Sequence, residues 1–262
     1  MSERHPAVSY HDVSKSYGGR KVLDRVTLDV AEREFLAIVG PSGSGKTTLL
    51  RLINRLGEAD SGTVRVDGQD VHAADPVMLR RGIGYVFQGV GLFPHMSVAQ
   101  NIAITPKLLR WDETRIAARV DELIDLVRLK LTEHRDRLPA QLSGGERQRV
   151  GVARALAANP KIVLMDEPFG ALDPLTRNAL SVDYRRLHDE LGLTTVMITH
   201  DTLEAVLLAD RIAVIREGRV VAQGTPRDMM SAEQDEYVRE LMSIPRRQAD
   251  QLQALLDRRS GA

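Results

Sequence analysis

The chain of 262 residues contains no cysteine, which excludes disulfides and thiolate metal sites and fits a reducing compartment. Net charge is missing too: 36 acidic residues balance 36 basic ones, leaving no overall field to hold nucleic acid or an anionic bilayer. Nucleic acid is therefore not an expected partner. The opening MSERHPAVSYHDV lacks the apolar centre of a secretion signal. No apolar run approaches the roughly 20 residues that span a bilayer; the longest are pieces such as IVLM. Work at a membrane would need another polypeptide to do the spanning. Internal repeats and low-complexity tracts are likewise absent. The length is enough to bury a substantial core, as one elaborated domain or two small ones.

What is present is a series of short apolar runs, EFLAIVG, KIVLMDE, TTVMITH and RIAVIREG, each leading into polar or glycine-bearing sequence. With helical patterns between most of them, they read as buried parallel strands joined by crossover helices. RVTLDV, TVRVDGQDV and VIREGRVVAQG alternate instead, and the last two carry Asp-Gly or Glu-Gly turn signals, which predicts antiparallel hairpins attached to the parallel core. Between about 89 and 160 the pattern is helical: ETRIAARVDELIDLVRL sets Ile116, Val120, Leu123, Ile124 and Val127 on one face. The end, DEYVRELMSIPRRQADQLQALLDRR, predicts two amphipathic helices separated at Pro245.

Directly after the strand FLAIV stand Gly40, Pro41, Ser42, Gly43, Ser44, Gly45, Lys46 and Thr47, with Thr48 opening a helical TLLRLINRL. This strand, loop and helix fit the phosphate-loop pattern. Its glycines let successive N–H groups curl around phosphates, Lys46 reaches the β and γ phosphates, and the Thr47 hydroxyl ligates Mg²⁺. The run IVLMDEP ends in Asp166 and Glu167 at a strand's mouth. In a phosphate-loop protein the first orients Mg²⁺, and the second can take the proton of an attacking water. His200 ends TTVMIT in the same way, where it donates to the γ-phosphate or holds the water.

Other residues admit two readings. Gln88, ending GYVFQ, is either a surface glutamine or an amide that touches metal and water. Tyr17 in SKSYGG either stacks on a flat adenine ring or packs on its own hairpin edge. Asp173 before Pro174 has the form of a helix N-cap with proline at the first position. In LSGGERQRV, Ser143 and Glu146 form a capping box, yet Gly144 and Gly145 each cost a helix about 1 kcal/mol relative to alanine. Bare N–H groups at a helix start form an anion site, and the question is which phosphate it holds.

Taken in order, Tyr17, GPSGSGKT, Gln88, LSGGE, IVLMDE, GALD and His200 resemble the ATP-binding subunits of ABC transporters, over about Val8 to Gly224. The resemblance implies an α/β fold: a phosphate-loop (RecA-like) core, an antiparallel β subdomain, and a helical subdomain bearing LSGGE. It implies an ATPase unit over 1–224 and a helical tail over 225–262 with no separate regulatory domain. It also implies roles: Tyr17 as the adenine-stacking aromatic, Gln88 as a metal ligand and linker to the helical subdomain, Glu167 as general base, Asp173 at a dimer interface and His200 as switch histidine. ATP and Mg²⁺ are the implied ligands. One departure is visible, since the fifth signature residue is more often glutamine and here is Glu146, which the capping box accommodates.

GLFPHMSVAQNIAITPKLLRW further resembles the equivalent segment in importers of quaternary amine osmoprotectants such as glycine betaine, choline and carnitine. In that family the segment after Gln88 meets the membrane subunit. The implied partners are transmembrane permease subunits at the cytoplasmic face of the inner membrane, a solute-binding protein indirectly, and a second copy of the chain. Importers of amino acids are the alternative. A soluble ABC ATPase of DNA repair or translation would carry coiled-coil insertions or tandem cassettes, and neither is present. A kinase or GTPase would leave LSGGE and His200 without a use. Because the chain already has loop, lysine, metal ligand, base and histidine for one nucleotide, Ser143, Gly144 and Gly145 form a surplus anion site. A symmetric dimer can lend it to the other copy's ATP.

Overall fold

The computed structural model describes residues 6–231, 234–245, 247 and 250. Strands β1 (Val8–Tyr17) and β2 (Arg20–Val30) form an antiparallel hairpin. The alternation of RVTLDV is realised in β2, where Val26, Leu28 and Val30 are buried and Thr27 and Asp29 exposed. Next come the fully buried β3 (Phe35–Val39), helix α1 (Lys46–Ile53), and the hairpin of β4 (Ser61–Val66) and β5 (Gln69–Asp70). Helix α2 (Pro76–Gly82) starts at Asp75, whose carboxylate accepts from the N–H groups of Val77 and Met78, and runs into β6 (Ile83–Val86).

Helices α3 (Val98–Leu108), α4 (Glu113–Leu126), α5 (Leu131–His134) and α6 (Gly144–Leu156) follow, and they constitute the crossover from β6 to β7 (Ile162–Asp166). The expected apolar face of α4 is buried at Ile116, Val120, Leu123, Ile124 and Val127. Single helices make the later crossovers: α7 (Pro174–Leu191) leads to β8 (Thr194–Ile198), and α8 (Thr202–Leu208) to β9 (Arg211–Arg216). β10 (Arg219–Gly224) turns back along β9, and α9 (Pro226–Met229) follows.

The strands make two sheets, an antiparallel one of order β2-β1-β4-β5 and a six-stranded one of order β10-β9-β3-β8-β7-β6. Every pairing in the larger sheet is parallel except β10 with β9. Because strand side chains alternate, its two faces feed separate cores. Phe35, Ala37 and Val39 join the face packed by the helices, with Val163, Met165 and Met197. Leu36 and Ile38 join the other, with α1 and the antiparallel sheet.

The tail lies on the first of these cores, burying Met229, Val238 and Met242, while the Arg216 guanidinium stacks over the Tyr237 ring at 4.6 Å. Residues 236–245 are helical, and so are residues 247 and 250; the chain just after Pro245, where the break is expected, lies outside the described residues. The second tail helix expected beyond it falls largely on residues outside those described. Among the described residues, no helix is long and apolar enough to cross a membrane.

Candidate functional site

The phosphate loop is folded by contacts that leave no room for side chains at two glycines. A Cβ on Gly40 would lie 2.1 Å from the Ile215 carbonyl oxygen. One on Gly45, where φ is 102°, would lie 2.6 Å from that of Val22. The loop therefore lies directly on β9 and β2. Its backbone is held further by Gly218, whose N–H donates to the Ser44 carbonyl at 3.2 Å.

Lys46 is the first residue of α1, and its ammonium donates back to the carbonyls of Gly40 (2.8 Å) and Pro41 (3.0 Å). Burial pulls its pKa down, against the attraction of Glu167 and Asp166. Thr47 Oγ1 donates to Asp166 Oδ1 at 3.3 Å. Asp166 ends β7, and burial raises its pKa while the Thr47 hydrogen bond and the Arg51 charge oppose the rise.

Glu167 has φ at 46°, a left-handed conformation that costs a residue with a side chain about 1–3 kcal/mol. Its N–H still donates to Ile198 at 3.0 Å, so β7 remains joined to β8 up to this bend. The side chain meets two others: Gln88 Nε2 donates to Glu167 Oε2 at 3.0 Å, and His200 Nδ1 lies 3.4 Å from Oε1. Three strand ends, those of β6, β7 and β8, thus converge on one carboxylate.

Tyr17, Ser42, Gly43, Gly45, Lys46, Thr47, Thr48 and Glu167 line a single cleft of about 540 Å³. Tyr17 is 53% exposed, and Lys15 Nζ, from the same strand, sits 5.3 Å from its ring centroid. Sequence reasoning missed Arg20, Lys21, Val22, Glu217 and Gly218 in the same wall. Arg20 and Lys21 had a signal, two cations just beyond a Gly-Gly turn opposite Tyr17. Glu217 and Gly218 had none, since their approach to the loop is long-range.

Ser143, Gly144 and Gly145 are not in that cleft. They open α6, where the capping box is complete: Ser143 N donates to Glu146 Oε2 (2.7 Å) and Glu146 N to Ser143 Oγ (3.2 Å). The glycines differ. A Cβ on Gly145 would lie 2.4 Å from Thr176 Cγ2, so this residue is bare because α7 packs on it. Gly144 has nothing nearer its Cβ position than Arg147 Nη2 at 4.0 Å and is exposed with Ser143. Asp173 is the N-cap of α7, accepting from Thr176 N at 3.1 Å, which puts it one turn from the contact with Gly145.

The family model described as "ABC transporter" matches residues 23–170, more than half the chain. The choline transport ATP-binding protein OpuBA of Bacillus subtilis is 48% identical over 240 residues, 91% of this chain and 63% of that protein. The glycine betaine uptake system ATP-binding protein YehX of Escherichia coli is 48% identical over 233 residues, 89% of this chain and 75% of that protein. The match thus spans less than two thirds of the Bacillus relative's length. Among solved structures, a dimeric ATP-binding cassette in a post-hydrolysis state bound to ADP and Pi superposes with a TM-score of 0.75. It is 34% identical, over 83% of this chain and 98% of that one. With its phosphate loop, paired carboxylates and signature helix in these positions, the chain belongs to the ABC transporter family.

Proposed function

We propose that two copies of this chain hydrolyse ATP at shared sites to drive import of a quaternary amine of the glycine betaine, choline or carnitine class. The observation that carries the ATPase reading is the convergence of Gln88 and His200 on Glu167 beside Lys46 and Thr47. The printed names of the relatives support the solute class.

In this reading Tyr17 stacks on adenine, and the N–H groups of Gly43 to Thr48 surround the phosphates. Lys46 exchanges its two carbonyl partners for phosphate oxygens, regaining a charged neighbour for a buried ammonium. Thr47, Asp166 and the amide oxygen of Gln88 suit Mg²⁺, a hard cation that takes oxygen ligands and keeps its phosphate contacts; Thr47 and Asp166 already meet at 3.3 Å. When bound, the ion would neutralise charge on the phosphate oxygens. Glu167 takes the proton of a water whose oxygen bonds the γ-phosphorus. The bond to the β–γ bridging oxygen breaks, and ADP leaves with the electron pair. His200 and Gln88 hold Glu167 and the water in register.

Ser143, Gly144 and Gly145, outside the cleft of their own chain, serve the nucleotide of the second copy. Asp173 sits at the same seam. ATP then favours the closed pair because it contacts both chains there and one chain in the open state. A groove of about 440 Å³ beside Gln88, lined by Leu56, Tyr85, Phe87, Phe93 and Ile104 with Arg80, Arg81 and Arg154 around it, suits a cytoplasmic helix of a permease. Asn101 organises its rim, bonding the backbone of Phe93 and Met96. Attachment would thus be peripheral, at the cytoplasmic face of the inner membrane, with a solute-binding protein acting through the permease. Residues 1–224 would be the ATPase unit and 225–262 its tail.

Glu167→Gln tests the base. ATP binding should persist while turnover falls by about 10²–10⁴. Ordinary steady-state hydrolysis in that variant would remove Glu167 from the role. Uptake of labelled betaine, choline and amino acids with the cognate permease tests the solute class.

A further inference from the structure

Glu146 brings a negative charge to the end of α6 that, in the reading above, receives a phosphate. Its carboxyl is held down to about 2, first by the Ser143 backbone N–H and then by the His134 side chain, so it is ionised at any working pH. An anion at a helix N-terminus is locally comfortable, but it opposes a second anion arriving there.

His134 lies on the far side of this carboxylate, nearly buried. Its Nε2 is 3.0 Å from Glu146 Oε1 and its Nδ1 is 2.9 Å from the Lys130 carbonyl oxygen. Neither oxygen can donate, and a neutral imidazole carries one N–H. Both contacts are therefore hydrogen bonds only when the ring holds two protons. Two further ion pairs lie nearby. Glu133 on α5 pairs with Lys130 at 2.9 Å, and Asp121 on α4 pairs with Arg135 at 2.9 Å. From α6 the ring meets Glu146 itself.

We propose that His134 is a positioning residue for the signature turn: as an imidazolium it clamps Glu146 against Ser143 and cancels the charge that would repel the second copy's phosphate. The proposal rests on the shared-site reading, and it explains why a carboxylate is compatible with the fifth signature position in this chain. The pair is a charge-assisted hydrogen bond in a partly desolvated place, where such bonds are strongest.

The test uses the full chain in four forms, unaltered, His134→Gln, Glu146→Gln and the double variant, each also carrying Glu167→Gln so that ATP-driven pairing can be measured without turnover. Ring ¹⁵N shifts of His134 should report the doubly protonated form at neutral pH. His134→Gln should raise the ATP needed for half-maximal pairing about ten-fold. The double variant should recover most of that loss, because the amide that replaces the Glu146 carboxylate carries no charge to cancel. Binding of ATP to each separate chain should be unchanged, which checks folding. A neutral His134 ring at neutral pH would overturn the proposal, as would pairing that His134→Gln leaves unmoved. Failure of the unaltered chain to pair with ATP would instead overturn the shared site, and the proposal with it.

Discussion

The cleft at the phosphate loop and the turn that opens α6 are both helix starts rich in glycine, yet they are finished to different degrees. At the loop, glycines are forced by backbone pressing on backbone, with Gly40 against Ile215 and Gly45 against Val22. The walls there supply Lys46, Thr47 and Glu167, and Asp166, Gln88 and His200 bond or approach these last two. At α6 the side chains are spent on one another: Ser143 and Glu146 cap the helix, and His134 holds Glu146. What remains for an outside ligand is the exposed end at Ser143 and Gly144. A helix start with complete chemistry is a site, whereas one with only free N–H groups is half of one. In the proposed reading the second takes its other half from another copy of the chain.

The largest expected effect breaks that comparison directly. Chains carrying Lys46→Ala should be inactive as a pair, and so should chains carrying Ser143→Arg. Mixed pairs keep one composite site free of both lesions and should recover a measurable part of the ATPase activity. No recovery despite proven mixed pairs would count against sharing. Next, Gly40→Ala should collapse ATP binding, since its Cβ would sit 2.1 Å from the Ile215 oxygen. Gly144→Ala meets no such obstacle and should leave thermal stability unchanged or slightly higher.

Gly145→Ala is intermediate. Its Cβ overlaps Thr176 Cγ2, and overpacking of this kind costs about 1–3 kcal/mol. Thr176→Ala in the same chain should restore the melting temperature, because the obstacle is a side chain and not backbone. The smallest effect is on pH. Glu146 has its folded pKa lowered from 4.5 to about 2, so its contribution is whole above about 4.5. It declines below that and is lost as pH falls through about 2. Ser143→Ala should shrink this acid-dependent part and cost about 1 kcal/mol of cap at neutral pH, measurable by denaturant titration at several pH values.

Much of the fold was legible because its signals are local. FLAIV and IVLM are apolar throughout, as strands buried on both faces read, TTVMI adds two β-branched threonines, and the α4 face repeats with helical spacing. The Asp-Gly and Glu-Gly turns marked hairpins that exist as β4–β5 and β9–β10. Helix α2 and the short β6 were not assigned, although Asp75 before Pro76 carried a start signal. In the site, the phosphate loop and the capping box could be read from spacing alone. The pressure of Gly218 on the loop and of Thr176 on Gly145 could not.

By itself the sequence determined where the glycine-rich helix starts would fall, at 40–48 and at 143–145, because turn chemistry and capping act within a few residues. Only the tertiary structure decided what stands around them. Gln88 and Glu167 meet across 79 residues, and His200 joins them because β6, β7 and β8 lie side by side in the sheet. The reason is physical: a hydrogen bond needs its partners within about 3 Å, and over such separations no spacing rule fixes a distance. It takes the packing of a parallel sheet to bring the ends of three strands to one carboxylate, and that same packing leaves the opening of α6 outside the cleft they form.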